Sequence, residues 1–354
     1  MTRLEKLRAK LPEGSDGIIV TNEINQRYLT DFPYTDGYVL VTRDAALLLC
    51  DFRYIEAARA KCNAEYEVRM FENRRREWLP RLLSDLGVKI LAFEDDTLSV
   101  ADHKALAADI PDVELVPAGT VLSDLREFKD EGEIEKIIAA QRIAEAALDH
   151  VLGFITPDRT EVEVALELEF YMRSHGAQNI SFETIAVSGS ASSLPHGVPR
   201  PVKLEKGFLT MDFGALKDGY CSDMTRTVCI GRADEEMKRV YNTVLEAQTA
   251  AHAAFREGVT GKEVDSVARD IIDNAGYKGC FGHSLGHGVG MYIHEAPRVA
   301  QSYDKPLLPG HVVTNEPGIY IEGKYGVRIE DMVVFRGNGV VECITKAPRE
   351  LIEL

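Results

Sequence analysis

No run of apolar residues is long enough to cross a bilayer, and the charged opening Thr2-Arg3-Leu4-Glu5-Lys6 does not fit a signal peptide. Basic charge is scarce. Forty-one Lys and Arg stand against 57 Asp and Glu, and the resulting net charge of −16 argues against nucleic acid or an anionic membrane as the main partner and favours solubility. Cysteine is sparse and unpatterned: Cys50, Cys62, Cys221, Cys229, Cys280 and Cys343 show no C-x-x-C spacing, so they read as reduced thiols rather than a disulfide frame, and a cytoplasmic location is expected. The first third contains neither G-x-G-x-x-G nor G-x-x-x-x-G-K, which leaves nucleotide binding without local support.

What the chain does contain is length for two domains, at 354 residues, each able to bury a core. After a short helix to about Leu11, strand-like runs at 17–20, 37–41, 45–51, 66–70, 89–94 and 113–117 alternate with helical stretches at about 53–63, 77–86 and 100–108. That alternation predicts a layered α/β domain over 1–125. The charged stretch 126–135 then leads into a long helix that opens a second domain, 126–354.

The second domain repeats itself. Ile137, Ile138, Ala144, Leu148, Val151 and Leu152 fit one helical face, as do Val240, Tyr241, Val244, Leu245 and Phe255. Each helix leads to a Thr-x-x-Glu capping box, Thr160/Glu163 and Thr260/Glu263, and to a second helix ending at His175-Gly176 or Ala275-Gly276. A segment with His and Gly follows, 192–197 and 282–290, and then two strands carrying carboxylates: Asp212 and Asp223 in the first half, Glu316 and Glu330 in the second. The same order of parts twice predicts a duplicated α+β unit of about 100 residues, its halves facing each other.

Side chains alternate faces along a strand, so Asp212 shares a face with Thr210, Asp223 with Thr225 and Thr227, Glu316 with Thr314, and Glu330 with Arg328. Their outward-facing neighbours Met211, Phe213, Met224, Val313, Ile329 and Val333 are apolar. Burying four such carboxylates together is costly unless protons, cations or metals compensate them. Four carboxylates and one imidazole could hold two divalent ions that activate a shared water, and an oxygen-rich set with a single nitrogen suits Mn²⁺, Co²⁺, Fe²⁺ or Zn²⁺. Taken alone, any one of these carboxylates would read as an edge or turn residue; Asp218 and Glu322 do read as solvated turn residues.

The segments Leu194-Pro-His-Gly197, Met211-Asp-Phe-Gly214, Ser222-Asp-Met-Thr-Arg-Thr227, Gly286-His-Gly-Val-Gly290, Ile293-His-Glu295, Asn315-Glu-Pro-Gly318 and Val327-Arg-Ile-Glu-Asp331 resemble the pita-bread metallopeptidases, in their aminopeptidase P and prolidase branch. Asn25-Gln-Arg-Tyr-Leu-Thr30 and Asp51-Phe-Arg-Tyr54 resemble that branch's creatinase-type N-terminal domain, so the likeness spans essentially the whole chain. The fold it implies is a duplicated pita-bread catalytic domain preceded by a smaller creatinase-type α/β domain. It implies that Asp212 chelates one metal, His287 and Glu316 the other, with Asp223 and Glu330 bridging, and that Glu316 is the general base. By the same resemblance His196 and His294 position the scissile carbonyl and stabilise the oxyanion, and His283, Tyr320 and Arg328 contact substrate. Arg328 would orient Glu330 or meet a substrate carboxylate.

The implied activity is cleavage between an N-terminal residue and proline in short peptides, as an Xaa-Pro dipeptidase (prolidase), with two divalent metals, Mn²⁺ or Co²⁺ first, and a homodimer. Xaa-Pro aminopeptidase is the alternative, because it shares every catalytic residue. Methionine aminopeptidase is disfavoured by the extra N-terminal domain of about 120 residues, and creatinase and a non-catalytic binding protein by the intact five ligands.

Overall fold

The computed structural model describes residues 1–354, which divide into two compact units, Met1–Arg126 and Glu127–Leu354. No helix is long and apolar enough to cross a membrane.

In the first unit a six-stranded sheet runs in the order Glu67–Met70, Ala46–Cys50, Tyr38–Thr42, Gly17–Val20, Ile90–Phe93, Glu114–Pro117. Tyr38–Thr42 is antiparallel to both its neighbours, and the remaining pairings are parallel. Ile19, Leu40, Leu47, Leu49 and Leu91 pack against Leu79 and Leu83 of helix Arg75–Asp85 and Leu106 of helix Val100–Asp109. Helix Glu23–Thr30, like Val121–Glu127, has no counterpart in the sequence reading. Its apolar residues are few, and its start is held by the Asn22 cap together with Glu94, which accepts bonds from Thr21 N, Asn22 N and Asn25 Nδ2. Burial, partly offset by those bonds, holds the Glu94 carboxyl above its ordinary value.

The second unit is built twice over. Helices Glu131–Phe154 and Glu161–Ser174 correspond to Glu235–Ala254 and Gly261–Ile272. Both Thr-x-x-Glu boxes form: Glu163 N and Glu263 N donate to the threonine hydroxyls at 3.1 Å, and the glutamates accept in return from Thr160 N and Thr260 N. Matching β-bridges pin each box to its half, Thr160 with Lys203 and Thr260 with Pro306.

Two sheets line the centre. Gly207–Phe213 pairs antiparallel with Met224–Ile230, with Asp212 opposite Thr225 and Thr210 opposite Thr227. Val312–Asn315 lies between Gly286–Gly288 and Asp331–Gly337. The neighbours expected to face outward do not reach solvent. Met211, Phe213 and Met224 are buried with Leu148, Val151 and Leu168 of the first helix pair, and Val313, Ile329 and Val333 with Val240, Val244 and Val264 of the second. Helices cover the backs of both sheets, and each fully buried side chain there contributes about 1.5–3 kcal/mol. With the backs sealed by apolar packing, the carboxylate faces are left to meet in the middle. Backbone bonds join the halves there, Glu330 N to Thr225 O at 3.1 Å and Cys221 N to Gly290 O at 2.8 Å.

Candidate metal centre

A cavity of about 660 Å³ opens where the two halves meet, and Asp212, Asp223, His287, Glu316 and Glu330 all line it, with His196, His283, His294 and Arg328. Asp223, His287 and Glu330 each offer a ligand atom within 4.8 Å of the others. His287 Nε2 lies 3.6 Å from Asp223 Oδ2 and 3.4 Å from Glu316 Oε1. Its Nδ1 is 3.2 Å from the Gly288 carbonyl, which accepts the Nδ1 proton and leaves Nε2 as a lone-pair donor toward the carboxylates.

Threonine hydroxyls hold Glu330 and Glu316, the first from the opposite half and the second from the adjoining strand Val312–Asn315. Thr225 Oγ1 donates to Glu330 Oε2 at 2.7 Å and Thr314 Oγ1 to Glu316 Oε1 at 3.1 Å. Asp212 is engaged from the other half, since Arg328 Nη2 donates to its Oδ2 at 2.5 Å. Arg328 makes no hydrogen bond to Glu330. Its remaining donors go to Thr225 Oγ1, the Pro195 carbonyl and the Tyr320 hydroxyl. Tyr320 is set back from the cavity wall, bonded also to His283 Nε2 at 2.9 Å.

Burial shapes the protonation of this cluster, and the carboxylates then raise one another. Asp223 is pushed well above the usual carboxylate range by burial and by Glu330, Asp212 and Glu316. Glu330 is raised by burial, Glu316 and Asp212, and Glu316 rises to about 8, mainly through burial. Burial and the nearby His294 lower His287 to about 3, and burial and Arg328 lower His283 to about 4, so both imidazoles are neutral at pH 7.

The model of "Metallopeptidase family M24" matches residues 135–336, and that of the "Creatinase/Prolidase N-terminal domain" matches residues 3–128. The chain belongs to metallopeptidase family M24. It is 38% identical to an Xaa-Pro dipeptidase of Pyrococcus horikoshii over 95% of this chain and 94% of that one. Among solved structures, the Xaa-Pro dipeptidase from Bacillus anthracis superposes with a TM-score of 0.95 at 44% identity, covering 99% of both chains. The X-Pro aminopeptidase from Thermotoga maritima gives 0.93 at 37%, covering 99% of this chain and 100% of that one.

An M24 metallopeptidase uses divalent metal, and the donor set of this one suits it. Asp212 Oδ1 and Asp223 Oδ1 are buried without a hydrogen-bond partner, an expensive arrangement that a cation would relieve. The donors are carboxylate oxygens and one neutral imidazole, and no cysteine lines the cavity. Sequence reasoning missed Arg298, on strand Glu295–Val299, an exposed cation on the cavity rim. Its position four residues past His294 was the available signal.

Proposed function

We propose that this M24 peptidase is an Xaa-Pro dipeptidase that hydrolyses the bond between an N-terminal residue and proline with two divalent metals, Mn²⁺ or Co²⁺ first, as a cytoplasmic homodimer. The observation that carries the reading is the convergence of Asp223, His287 and Glu330 within 4.8 Å beside Glu316 and Asp212, in a cavity whose rim holds His196, His294 and Arg298. Similarity to proteins named Xaa-Pro dipeptidase over almost the full chain supports the substrate class.

Asp212 would hold one metal, His287 and Glu316 the other, and Asp223 and Glu330 both. When bound, such ions supply a nucleophile at neutral pH and Lewis acidity toward a carbonyl. The remaining work falls to the protein's own groups. Glu316, fixed by Thr314, accepts the proton of the attacking water. His196 and His294 donate to the carbonyl oxygen as it gains charge. Arg298 faces the free carboxylate of a dipeptide, and Arg328 keeps Asp212 oriented. A bond to proline lacks an N–H and has a fixed φ, so a peptidase that needs a backbone donor there cannot grip it, and positioning must come from groups such as these.

The aminopeptidase reading is favoured by one observation, the 0.93 TM-score to the Thermotoga maritima X-Pro aminopeptidase. Assay of the Mn²⁺-loaded chain on Xaa-Pro, Xaa-Pro-Yaa and Met-Ala peptides separates the readings. Cleavage confined to Xaa-Pro is the expected result. Cleavage of tripeptides makes it an aminopeptidase, and release of Met alone removes the proline specificity.

A further inference from the structure

One buried ion pair has no part in metal ligation. Lys129, at the start of the catalytic unit, places Nζ 2.7 Å from Glu295 Oε1, with side chains 1% and 7% exposed. Lys129 is fixed from both sides: its backbone N donates to the Gly310 carbonyl at 2.8 Å, and Asp130, the next residue, caps helix Glu131–Phe154. Nζ also donates to the Glu127 carbonyl at 3.2 Å.

Glu295 follows His294 directly, and the two side chains part company, His294 to the cavity wall and Glu295 to the buried lysine. The loop between His287 and Glu295 closes tightly. Gly288 pairs with Glu295 across a bulge, and a Cβ on Gly290 would lie 1.9 Å from Glu295 Oε1 and 2.9 Å from Lys129 Cε. His294 in turn meets His287 edge to face, ring centroids 4.3 Å apart. A carboxylate with so little access to water is held where its counter-charge waits. That fixes the backbone on which the His294 ring stands.

We propose that Lys129 is a positioning residue for His294, acting through Glu295. The ion pair sets where the imidazole stands against the scissile carbonyl, without touching substrate or metal. This rests on the role given to His294 above.

The test is a double-mutant cycle on the metal-loaded full chain, with kcat and KM measured on an Xaa-Pro peptide. K129M should lower kcat by about 10²-fold, the scale of a misplaced catalytic group, with KM changed less than kcat. In an H294A background the same substitution should cost almost nothing further, because residues that act as a unit are non-additive. Since K129M removes the cation beside the buried Glu295 carboxylate, K129M/E295Q supplies a variant in which that carboxylate is neutral as well, and it should fold with kcat still reduced. Equal losses in both backgrounds, or wild-type kcat in K129M/E295Q, overturn the proposal. If K129M does not fold, E295Q takes its place in the cycle under the same criteria. Failure of the underlying reading shows separately, as wild-type kcat in H294A itself.

Discussion

Arg328 reaches from strand Tyr325–Arg328 of the second half to Asp212 on strand Gly207–Phe213 of the first, Nη2 to Oδ2 at 2.5 Å. The guanidinium is 4% exposed and the carboxylate 14%, so this is an ion pair largely out of water that ties together the two halves of the site. Removing its cation leaves Asp212 buried and uncompensated. R328M should therefore destabilise the metal-free protein by about 3–5 kcal/mol in denaturant unfolding, with R328K recovering only part because it loses the planar fork. If Asp212 holds metal, saturating metal should reduce that loss. An equal loss with and without metal would argue against Asp212 as a ligand.

Metal loading should release protons. In the metal-free protein burial raises Asp223 and Glu330, and carries Glu316 to about 8, so Glu316 holds a proton at pH 7 that a cation must displace. Affinity should rise with pH up to about 8, and calorimetry in buffers of different ionisation enthalpy should show net proton release at pH 7. The same sign governs apo stability. A folded-state pKa above the unfolded value of about 4.3 contributes stability that is fully present below that value and lost as pH rises through 8. The metal-free protein should thus be less stable at pH 9 than at pH 6, and metal should remove the difference.

Glu161 titrates in the opposite direction. Burial alone would raise it, but Arg200, Ser188 and the Arg200 amide donate to its carboxylate and together hold it below the ordinary value. The stability it contributes is present above about 4.3 and lost as pH falls through its lower folded value. E161Q should cost about 2 kcal/mol at pH 7, the scale of a hydrogen-bonded charge, with the deficit narrowing in acid. Glu161 also anchors both ends of the segment 188–200 that carries His196, so kcat should fall with it.

Gly286 stands where no side chain fits. A Cβ there would lie 2.1 Å from the Thr314 carbonyl oxygen, on the residue before His287. G286A should push strand Gly286–Gly288 away from Val312–Asn315. It should weaken metal binding by about tenfold or more as well as lowering stability, since displaced ligand geometry costs affinity on that scale. Isothermal titration at matched folded fraction checks it.

Much of this architecture was legible because it is written in local chemistry. Thr160/Glu163 and Thr260/Glu263 are short-range capping devices, and Asp212 sits on a strand whose alternation shows in the residues, whereas Glu316 directly follows strand Val312–Asn315 and Asp223 and Glu330 lie just outside strands too. Helix Glu23–Thr30 was not legible, because part of what holds its start is Glu94, some seventy residues away. The fate of Met211 and Val313 needed the helix layers behind the sheets, and the partner of Arg328 needed the packing of one half on the other. Arg226 belongs with these long-range features. It donates to Asp331 and to the Glu330 carbonyl, clamping a strand of each half together, and nothing local marks it.

The claim that a metal centre forms between the two halves is tested most directly by metal analysis of the wild type and D223N after dialysis against Mn²⁺ and gel filtration. The wild type should retain about two ions per chain. D223N should lose at least one, with turnover of Xaa-Pro peptides falling in parallel. A wild type that retains no divalent metal, or a D223N that keeps both occupancy and turnover, would contradict it.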